Sequence, residues 1–249
     1  MSSLATLHIE TRLARLTLNR PEACNALSLD LLAALHERLG QLEANRDVQV
    51  VVITGAGTAF CAGMDLKQVL GDPGAPERLL RLLAEFTIRL RALPAVVVGA
   101  VNGAAIGGGC GIACVCDLTV THSDSKMGFP EVDLGICPAV VAPWLVRKIG
   151  AGRARQVLLS GGLITGQRAF ELGIVTDVVP SAGELDARVS ALIERLLTGG
   201  PDAVRATKNL LNELDGSSDP ASVLKGADLS AAVIALPETQ KLLRDKLGL

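Results

Sequence analysis

Two glycine-rich segments of this 249-residue chain are candidates for binding an anion. They read AFCAGMDL (59–66) and NGAAIGGGCG (102–111), and each follows a run of apolar, mostly β-branched residues. In open α/β folds, ligands bind where loops leave the carboxyl ends of strands. A glycine turn at the start of a helix leaves backbone N–H groups unpaired, and these can hold an anion or an oxyanion. A tight strand-to-helix junction needs the same glycines, so spacing alone leaves both interpretations open.

Several familiar motifs are missing from these segments. From Gly107, a dinucleotide fingerprint would place its third glycine at Ile112, and no Walker lysine follows the loop. The second segment has no serine that would serve as a nucleophile elbow. The six cysteines form no CxxC pair and the three histidines stand at no ligand spacing, so we expect small buried thiols and no metal site.

Glu131 is the candidate acid–base residue, within the run MGFPEVDLGICPA (127–139). One interpretation is a surface acid that caps the segment after it. The other is a catalytic carboxylate in an apolar pocket, where burial would raise its pKa towards neutrality. Asp133 lies two residues further on and would face the same side of an extended segment, so it is a less favoured candidate for a second acid.

The elements that position these residues alternate between strand and helix. Residues 4–10 and 13–18 predict a hairpin, and apolar runs predict strands over 48–55, 95–101 and 117–122. Ser28 is a suitable N-cap for an amphipathic helix to about Asn45, and a second helix is predicted over 76–92. This order indicates an α/β fold with parallel pairing.

Helical periodicity dominates after Pro138. We therefore expect an α/β core over 1–190 and a helical C-terminal region over 191–249, packed on that core or on a neighbouring subunit. The predicted helices cover 139–149, 152–160, 165–172, 183–198, 201–214 and 219–247, with one short strand near 175–179.

Composition argues against nucleic-acid and membrane partners. The net charge is −2 and aromatic residues make up 2%, which offers neither a basic patch nor stacking platforms. The uncharged stretch 92–116 is long enough for a membrane span, but its glycines and Pro94 favour a buried strand, a turn and a helix start. The N-terminus lacks a signal-like apolar core, so we expect a cytoplasmic protein.

The glycine segments and the Glu131 segment together resemble the crotonase (enoyl-CoA hydratase/isomerase) superfamily. The similarity extends to NRPEACNALS (19–28) and TGQRAFELGIVTDVV (165–179), in the family's order and spacing. The resemblance implies a spiral of repeated ββα units with a helical C-terminal trimerisation region, assembled as a homotrimer or homohexamer. It also implies an acyl-CoA substrate and no cofactor other than the coenzyme A of that thioester.

The same resemblance assigns roles to residues. The backbone N–H groups of Met64 and Gly108 would bind the thioester oxygen, and Glu131 would be the catalytic carboxylate. The resemblance further implies that the backbone near Ala26, Ala62, Asp65 and Leu66 lines the path of coenzyme A. We also expect Gly107, Gly111 and Pro138 to bind the substrate, and we expect pocket-lining residues within 67–90 and at Val140, Val141 and Trp144. For Asp65, a helix N-cap is an equally good local interpretation.

The chain departs from the hydratases of that family at one position. They resemble one another in carrying two glutamates, and Gly111 stands where the first would be. Hydration of a 2-enoyl-CoA is our preferred prediction, because the run 130–150 resembles bacterial hydratases, including the methylglutaconyl-CoA type. The alternatives are a 3-enoyl-CoA to 2-enoyl-CoA isomerase, which needs only one base, and a non-catalytic CoA-binding paralogue.

Overall fold

The computed structural model describes residues 3–72 and 74–248, so residues 1–2, 73 and 249 of the two predicted regions lie outside the described residues. The described residues form ten strands and ten helices. The strands are β1 (Ala5–Glu10), β2 (Leu13–Leu18), β3 (Val50–Gly55), β4 (Ala59–Cys61), β5 (Val96–Val101), β6 (Ala104–Ile106), β7 (Leu118–His122), β8 (Lys126–Gly128), β9 (Leu163–Thr165) and β10 (Asp177–Val179). The helices are α1 (Leu29–Ala44), α2 (Leu66–Gly71), α3 (Ala75–Ala92), α4 (Gly108–Val115), α5 (Ala142–Ser160), α6 (Gly166–Leu172), α7 (Leu185–Leu197), α8 (Pro201–Leu214), α9 (Ala221–Ile234) and α10 (Pro237–Leu247).

The larger sheet has six strands in the order β1-β2-β3-β5-β7-β10. Only the β1–β2 hairpin is antiparallel, and the other neighbours run parallel, as the sequence predicts. Parallel strands are usually covered on both faces. In β3, Val51 and Ile53 join the main core, whereas Val50 and Val52 pack with α7 on the opposite face.

The strands of the sequence analysis did not include a second, smaller sheet, which supplies the second strand of a repeated ββα unit. Its order is β4-β6-β8-β9, with β4, β6 and β8 parallel. Each of these three short strands follows a strand of the larger sheet and precedes a helix, so β3-β4-α2, β5-β6-α4 and β7-β8-α5 are successive ββα units. Three-residue strands carry too little periodicity to be identified from sequence.

The C-terminal helices pack on the chain's own core. Lys208 of α8 is buried, and its Nζ donates to Asp117 Oδ2 and to the Ala95 carbonyl oxygen, each at 2.8 Å. In α9, a side chain on Gly226 would collide with the Ala139 carbonyl oxygen, 2.1 Å from the position of its Cβ. The predicted boundary between residues 190 and 191 falls inside α7.

Two of the predicted helical segments test the sequence analysis, and one of them is wrong. The single helix predicted over 219–247 is wrong: α9 ends at Ile234 and α10 begins at Pro237, which has no N–H with which to continue a helix. The pair predicted over 139–149 and 152–160 is correctly divided, because Gly150 has the non-helical angles φ 79° and ψ 156° inside α5.

The remaining predictions concern a membrane span, a metal site and the burial of the cysteine thiols. The uncharged stretch 92–116 is the end of α3, β5, β6 and α4, and within the described ranges no helix is long and apolar enough to cross a membrane. No group of three or more His, Cys, Asp or Glu residues is placed to hold a metal ion in the part of the chain that the structure describes. The expectation of buried thiols is wrong for Cys24, which is exposed, and for Cys137, which is partly buried.

Candidate active site

The first glycine loop is pressed against the second. Gly63 has φ +89°, and a Cβ there would lie 2.8 Å from the Ile106 carbonyl oxygen and 3.9 Å from the Gly108 nitrogen. Glycine is therefore required both for its backbone conformation and for the close approach. The Leu27 N–H donates to the Gly63 carbonyl oxygen (2.7 Å) and the Asp65 N–H to the Leu27 carbonyl oxygen (2.9 Å), which fixes the backbone on both sides of Met64.

The second loop turns directly into α4. Gly107 has φ +53°, and its N–H donates to the Gly128 carbonyl oxygen at 2.8 Å. Gly108 is the first residue of α4, and a Cβ on Gly109 would lie 2.3 Å from the Cys61 carbonyl oxygen. The packing interpretation of the triple glycine is therefore confirmed, and the glycines also open a helix whose first N–H groups have no intrahelical partner.

Met64 and Gly108 line one cavity, and their backbone N–H groups are free to donate. Among the described residues, neither donates a hydrogen bond to a backbone or side-chain acceptor. Met64, Gly108 and Glu131 line the same cavity, of about 30 Å³. Two residues with unpaired backbone N–H groups and one carboxylate thus line the same small space.

Glu131 is held as an isolated, largely buried carboxylate. It follows Pro130 and opens a short 3-10 turn over Val132–Leu134. Its Oε1 would lie 2.9 Å from a Cβ on Gly107, whereas its Oε2 is buried without a hydrogen-bond partner. Burial raises the pKa of Glu131 from 4.5 to about 7, in the direction expected from the sequence. Such a group can both accept and return a proton near neutral pH.

Side chains from three parts of the chain close the cavity, and all but one of them are apolar. Leu80 and Leu83 come from α3, Val140 and Val141 precede α5, and Ser230 comes from α9. The remaining lining residues are Ile136, Cys137 and Pro138. The sequence analysis placed lining residues within 67–90 and at Val140 and Val141, but it missed Ser230, which lies almost a hundred residues from Glu131 and has no local signal.

Val141 fills the space where the hydratases of the family carry their first glutamate. A Cβ on Gly111 would lie 2.2 Å from Val141 Cγ1 and 2.9 Å from Val141 Cβ. Any side chain at position 111 therefore collides with Val141 in this packing. The wall at position 111 is apolar, which leaves Glu131 as the only carboxylate among the lining residues that the structure describes.

The other predicted residues either belong to the first glycine loop or begin the helix α2 that follows it. Asp65 Oδ1 accepts from the Gln68 N–H and caps α2, and its Oδ2 accepts from Arg20 at 2.8 Å, so the helix-cap interpretation is confirmed. Leu66 is the first residue of α2.

Ala62 and Ala26 are held in place by hydrogen bonds to their backbone atoms. The Ala62 N–H donates to the Cys24 carbonyl oxygen at 3.0 Å. The carbonyl oxygen of Ala26 accepts from Arg20 at 3.1 Å.

Two residues considered in the sequence analysis lie outside the cavity. Trp144 is fully buried, and its indole N–H donates to Thr87 Oγ1 at 3.1 Å, so it supports the wall without lining it. Asp133 is exposed and its Oδ2 accepts from the Gly162 N–H at 2.8 Å. The 3-10 turn breaks the extended path on which Asp133 would have faced the same way as Glu131.

Comparison with known proteins identifies the family. A family model for enoyl-CoA hydratase/isomerase matches residues 8–234. The chain is 37% identical over 210 residues to crotonyl-CoA hydratase from Syntrophomonas wolfei, covering 83% of this chain and 80% of that one. It is 35% identical to 2,3-dehydroadipyl-CoA hydratase from Escherichia coli, with 82% and 80% covered. The solved structure of Pseudomonas aeruginosa AtuE superposes with a TM-score of 0.82 at 34% identity, covering 95% of this chain and 93% of that one. The chain therefore belongs to the enoyl-CoA hydratase/isomerase family, the crotonase superfamily.

Proposed function

We propose that this protein is an enoyl-CoA hydratase in which Glu131 is the single acid–base group and the Met64 and Gly108 N–H groups form the oxyanion hole. One observation carries the proposal: a buried carboxylate oxygen without a partner shares a small apolar cavity with two free backbone donors. The relatives named as hydratases of crotonyl-CoA and of 2,3-dehydroadipyl-CoA support the reaction class.

In hydration, Glu131 transfers the proton and the two N–H groups stabilise the negative charge. Ionised Glu131 accepts a proton from water, and the hydroxide oxygen forms a bond to C3 of the enoyl group while the C2–C3 π electrons shift towards the thioester. The negative charge that develops on the thioester oxygen is stabilised by the Met64 and Gly108 N–H groups, each worth about 10²–10³ in kcat in comparable sites. Protonated Glu131 then returns a proton to C2, and the product is a 3-hydroxyacyl-CoA.

Isomerisation is the second candidate, because position 111 carries no acid. Moving a double bond from C3 to C2 needs one base that removes a proton from C2 and returns it to C4. Val141 against Gly111 favours this alternative, since it leaves no second carboxylate to hold a water. The unpaired Glu131 argues against a non-catalytic CoA-binding protein, because a buried carboxylate with no partner destabilises the fold and serves no purpose in a scaffold.

The proposal extends to the binding of coenzyme A, the location of the protein and its assembly. Coenzyme A would lie along the backbone near Ala26, Ala62, Asp65 and Leu66, and no further cofactor is required for enolate chemistry on a thioester. We propose a cytoplasmic homotrimer or homohexamer. The exposed apolar side chains of Leu159 and Leu229, which line a cleft of about 1000 Å³, support association of subunits through that face.

Isotope transfer from water separates these functions. Crotonyl-CoA and 3-hexenoyl-CoA are incubated with the protein in heavy-oxygen water, and the products are separated by liquid chromatography, which resolves the isomers of equal mass, and analysed by mass spectrometry. A labelled 3-hydroxyacyl-CoA from crotonyl-CoA establishes hydration, whereas unlabelled 2-hexenoyl-CoA from 3-hexenoyl-CoA without hydration of crotonyl-CoA establishes isomerisation. Glu131→Gln should abolish whichever activity is found, and a scaffold would show neither.

A further inference from the structure

Ser230 of α9 supplies the one hydroxyl group among the described residues that line the cavity beside Glu131. Its side chain is buried, with 1% exposed. Its Oγ donates to the Cys137 carbonyl oxygen at 2.7 Å and accepts from the Ala139 N–H at 3.1 Å. Neither of these backbone groups has another hydrogen-bond partner in the part of the chain that the structure describes. A single side chain thus satisfies two backbone groups of the 137–139 segment, which we call the wall segment.

The same face of α9 also touches the wall segment through its backbone. Gly226 lies four residues before Ser230, a spacing that places both on one side of the helix. A Cβ on Gly226 would lie 2.1 Å from the Ala139 carbonyl oxygen and 3.1 Å from the Val140 nitrogen. The two hydrogen bonds of Ser230 therefore fasten a segment that already lies directly against the helix.

The wall segment is tied to Glu131 and stands between two spaces. The Glu131 carbonyl oxygen accepts from the Ile136 N–H at 2.8 Å, and Cys137 follows directly in the chain. Ile136, Cys137 and Pro138 line both the small cavity beside Glu131 and the cleft of about 1000 Å³ at the surface. A displacement of this segment would open the Glu131 cavity towards the cleft.

We propose that Ser230 is a positioning residue for Glu131, because it holds the wall segment in place and thereby keeps the water of the cleft away from the carboxylate. Without the hydroxyl, the Cys137 carbonyl and the Ala139 N–H would lose that partner, and unpaired buried groups recruit water or move towards it. Such water would also hydrate Glu131 and weaken the burial that raises its pKa. The inference rests on the proposed function, in which Glu131 is the acid–base group.

Two thiols are the other ionisable groups near Glu131 in the described ranges. Cys137 belongs to the wall segment and Cys110 to α4, whereas α3 and α9 contribute no ionisable side chain to the lining. Burial raises the pKa of Cys137, and the neighbouring Cys114 thiol together with burial raises the pKa of Cys110. Both thiols therefore stay protonated from about pH 4 to about pH 8, and a titration over this range reports the hydration of Glu131.

Carbon NMR of protein with isotope-labelled glutamate carboxyl groups measures the pKa of Glu131 without turnover, and the Glu131 signal is the one missing from Glu131→Gln. In the wild-type protein this carboxyl should titrate near pH 7. We expect it to titrate about one pH unit lower in Ser230→Ala, because part of its burial is lost. The matched control is Ser222→Ala on the same helix, whose exposed hydroxyl accepts from Arg147 outside the cavity and should leave the titration unchanged.

Gly226→Ala separates the position of the wall segment from the polarity of the hydroxyl. It keeps Ser230 but collides with the Ala139 carbonyl oxygen, so it should displace the segment and also lower the pKa of Glu131 by about one pH unit. An unchanged or raised pKa in Ser230→Ala overturns the inference. A lowered pKa in Ser230→Ala with an unchanged one in folded Gly226→Ala overturns it as well, because the hydroxyl would then act without the wall. If Gly226→Ala does not fold, Ser230→Ala against its control decides.

Turnover of crotonyl-CoA distinguishes the inference from the proposed function. In a working hydratase, Ser230→Ala should lower kcat about tenfold at pH 8 with little change in KM, because Glu131 becomes a weaker and less well placed base. The rise of kcat/KM with pH should move down together with the NMR pKa, and a rise that stays near pH 7 in this variant contradicts the role of Ser230. If the wild-type protein hydrates no enoyl-CoA, the proposed function fails, while the NMR titration still decides whether Ser230 controls Glu131.

Discussion

Replacing Glu131 with glutamine should stabilise the protein at alkaline pH while it abolishes activity. The cavity raises the pKa of this carboxyl from 4.5 to about 7 because burial disfavours its charged form. Between these values the native state holds the proton that the unfolded chain releases. The native state then binds more protons, and the free energy of unfolding falls as the pH rises from about 4.5 to about 7. Glutamine has nearly the same shape and cannot ionise, so it escapes this loss.

The size of the effect follows from the difference in pKa. About 2.5 pH units at 1.36 kcal/mol each give roughly 3 kcal/mol of stability that the wild-type protein loses above pH 7 and the variant keeps. For a chain of this length, 3 kcal/mol corresponds to a rise in Tm of about 6–12 °C. Below pH 4.5 the carboxyl is protonated in both states, and the variant should match the wild type.

Urea denaturation of both proteins at pH 4.5 and pH 8 measures the difference directly. The matched control is Glu194→Gln, at an exposed position of α7 that is remote from the cavity, where we expect a change below about 0.5 kcal/mol at either pH. An equal effect of Glu131→Gln at both pH values would refute the reasoning, because it would mean that the carboxylate is hydrated or paired in the folded protein. Loss of stability at pH 8 would refute it more strongly.

Three further predictions concern the reaction and its walls. With crotonyl-CoA, kcat/KM should rise with pH through about 7 and then level off, because Glu131 must be ionised to accept a proton; a flat profile would contradict this role. Met64→Ala should keep kcat within about tenfold, whereas Met64→Pro, which removes the N–H, should lower kcat by about 10²–10³; equal losses would argue against a backbone donor. Gly111→Ala should cost about 1–2 kcal/mol in urea denaturation because of the collision with Val141, and should be neutral or stabilising in a Val141→Gly background; additive effects would show that the two positions do not touch.

Most of the larger sheet could be predicted from the sequence because its strands carry strong local signals. The run 48–55 is apolar at nearly every position, and this pattern is typical of a parallel strand covered on both faces, which β3 is. The N-cap at Ser28 was equally local, and its Oγ accepts from the Leu31 N–H as expected. The four strands of the smaller sheet were missed, since three residues are too few to show an alternating pattern.

The single long helix predicted over 219–247 failed because apolar periodicity continues across a break that Pro237 imposes. Trp144 was predicted to line the substrate site together with Val140 and Val141. In the structure its side chain turns to Thr87 instead, since sequence proximity does not fix the direction of a side chain.

The sequence by itself determined which chemical groups are available: two glycine loops, one carboxylate in an apolar segment, and a glycine at position 111, where the resemblance implies a second acid. These features are local, because they depend on residue type and on spacing within one loop. Only the tertiary structure decided how the groups are enclosed. The contact of Val141 with Gly111 and the closure by Ser230 of α9 join residues from distant parts of the chain, and the burial that raises the pKa of Glu131 arises from that packing. Such contacts depend on how helices and sheets pack around one core, which no local pattern encodes.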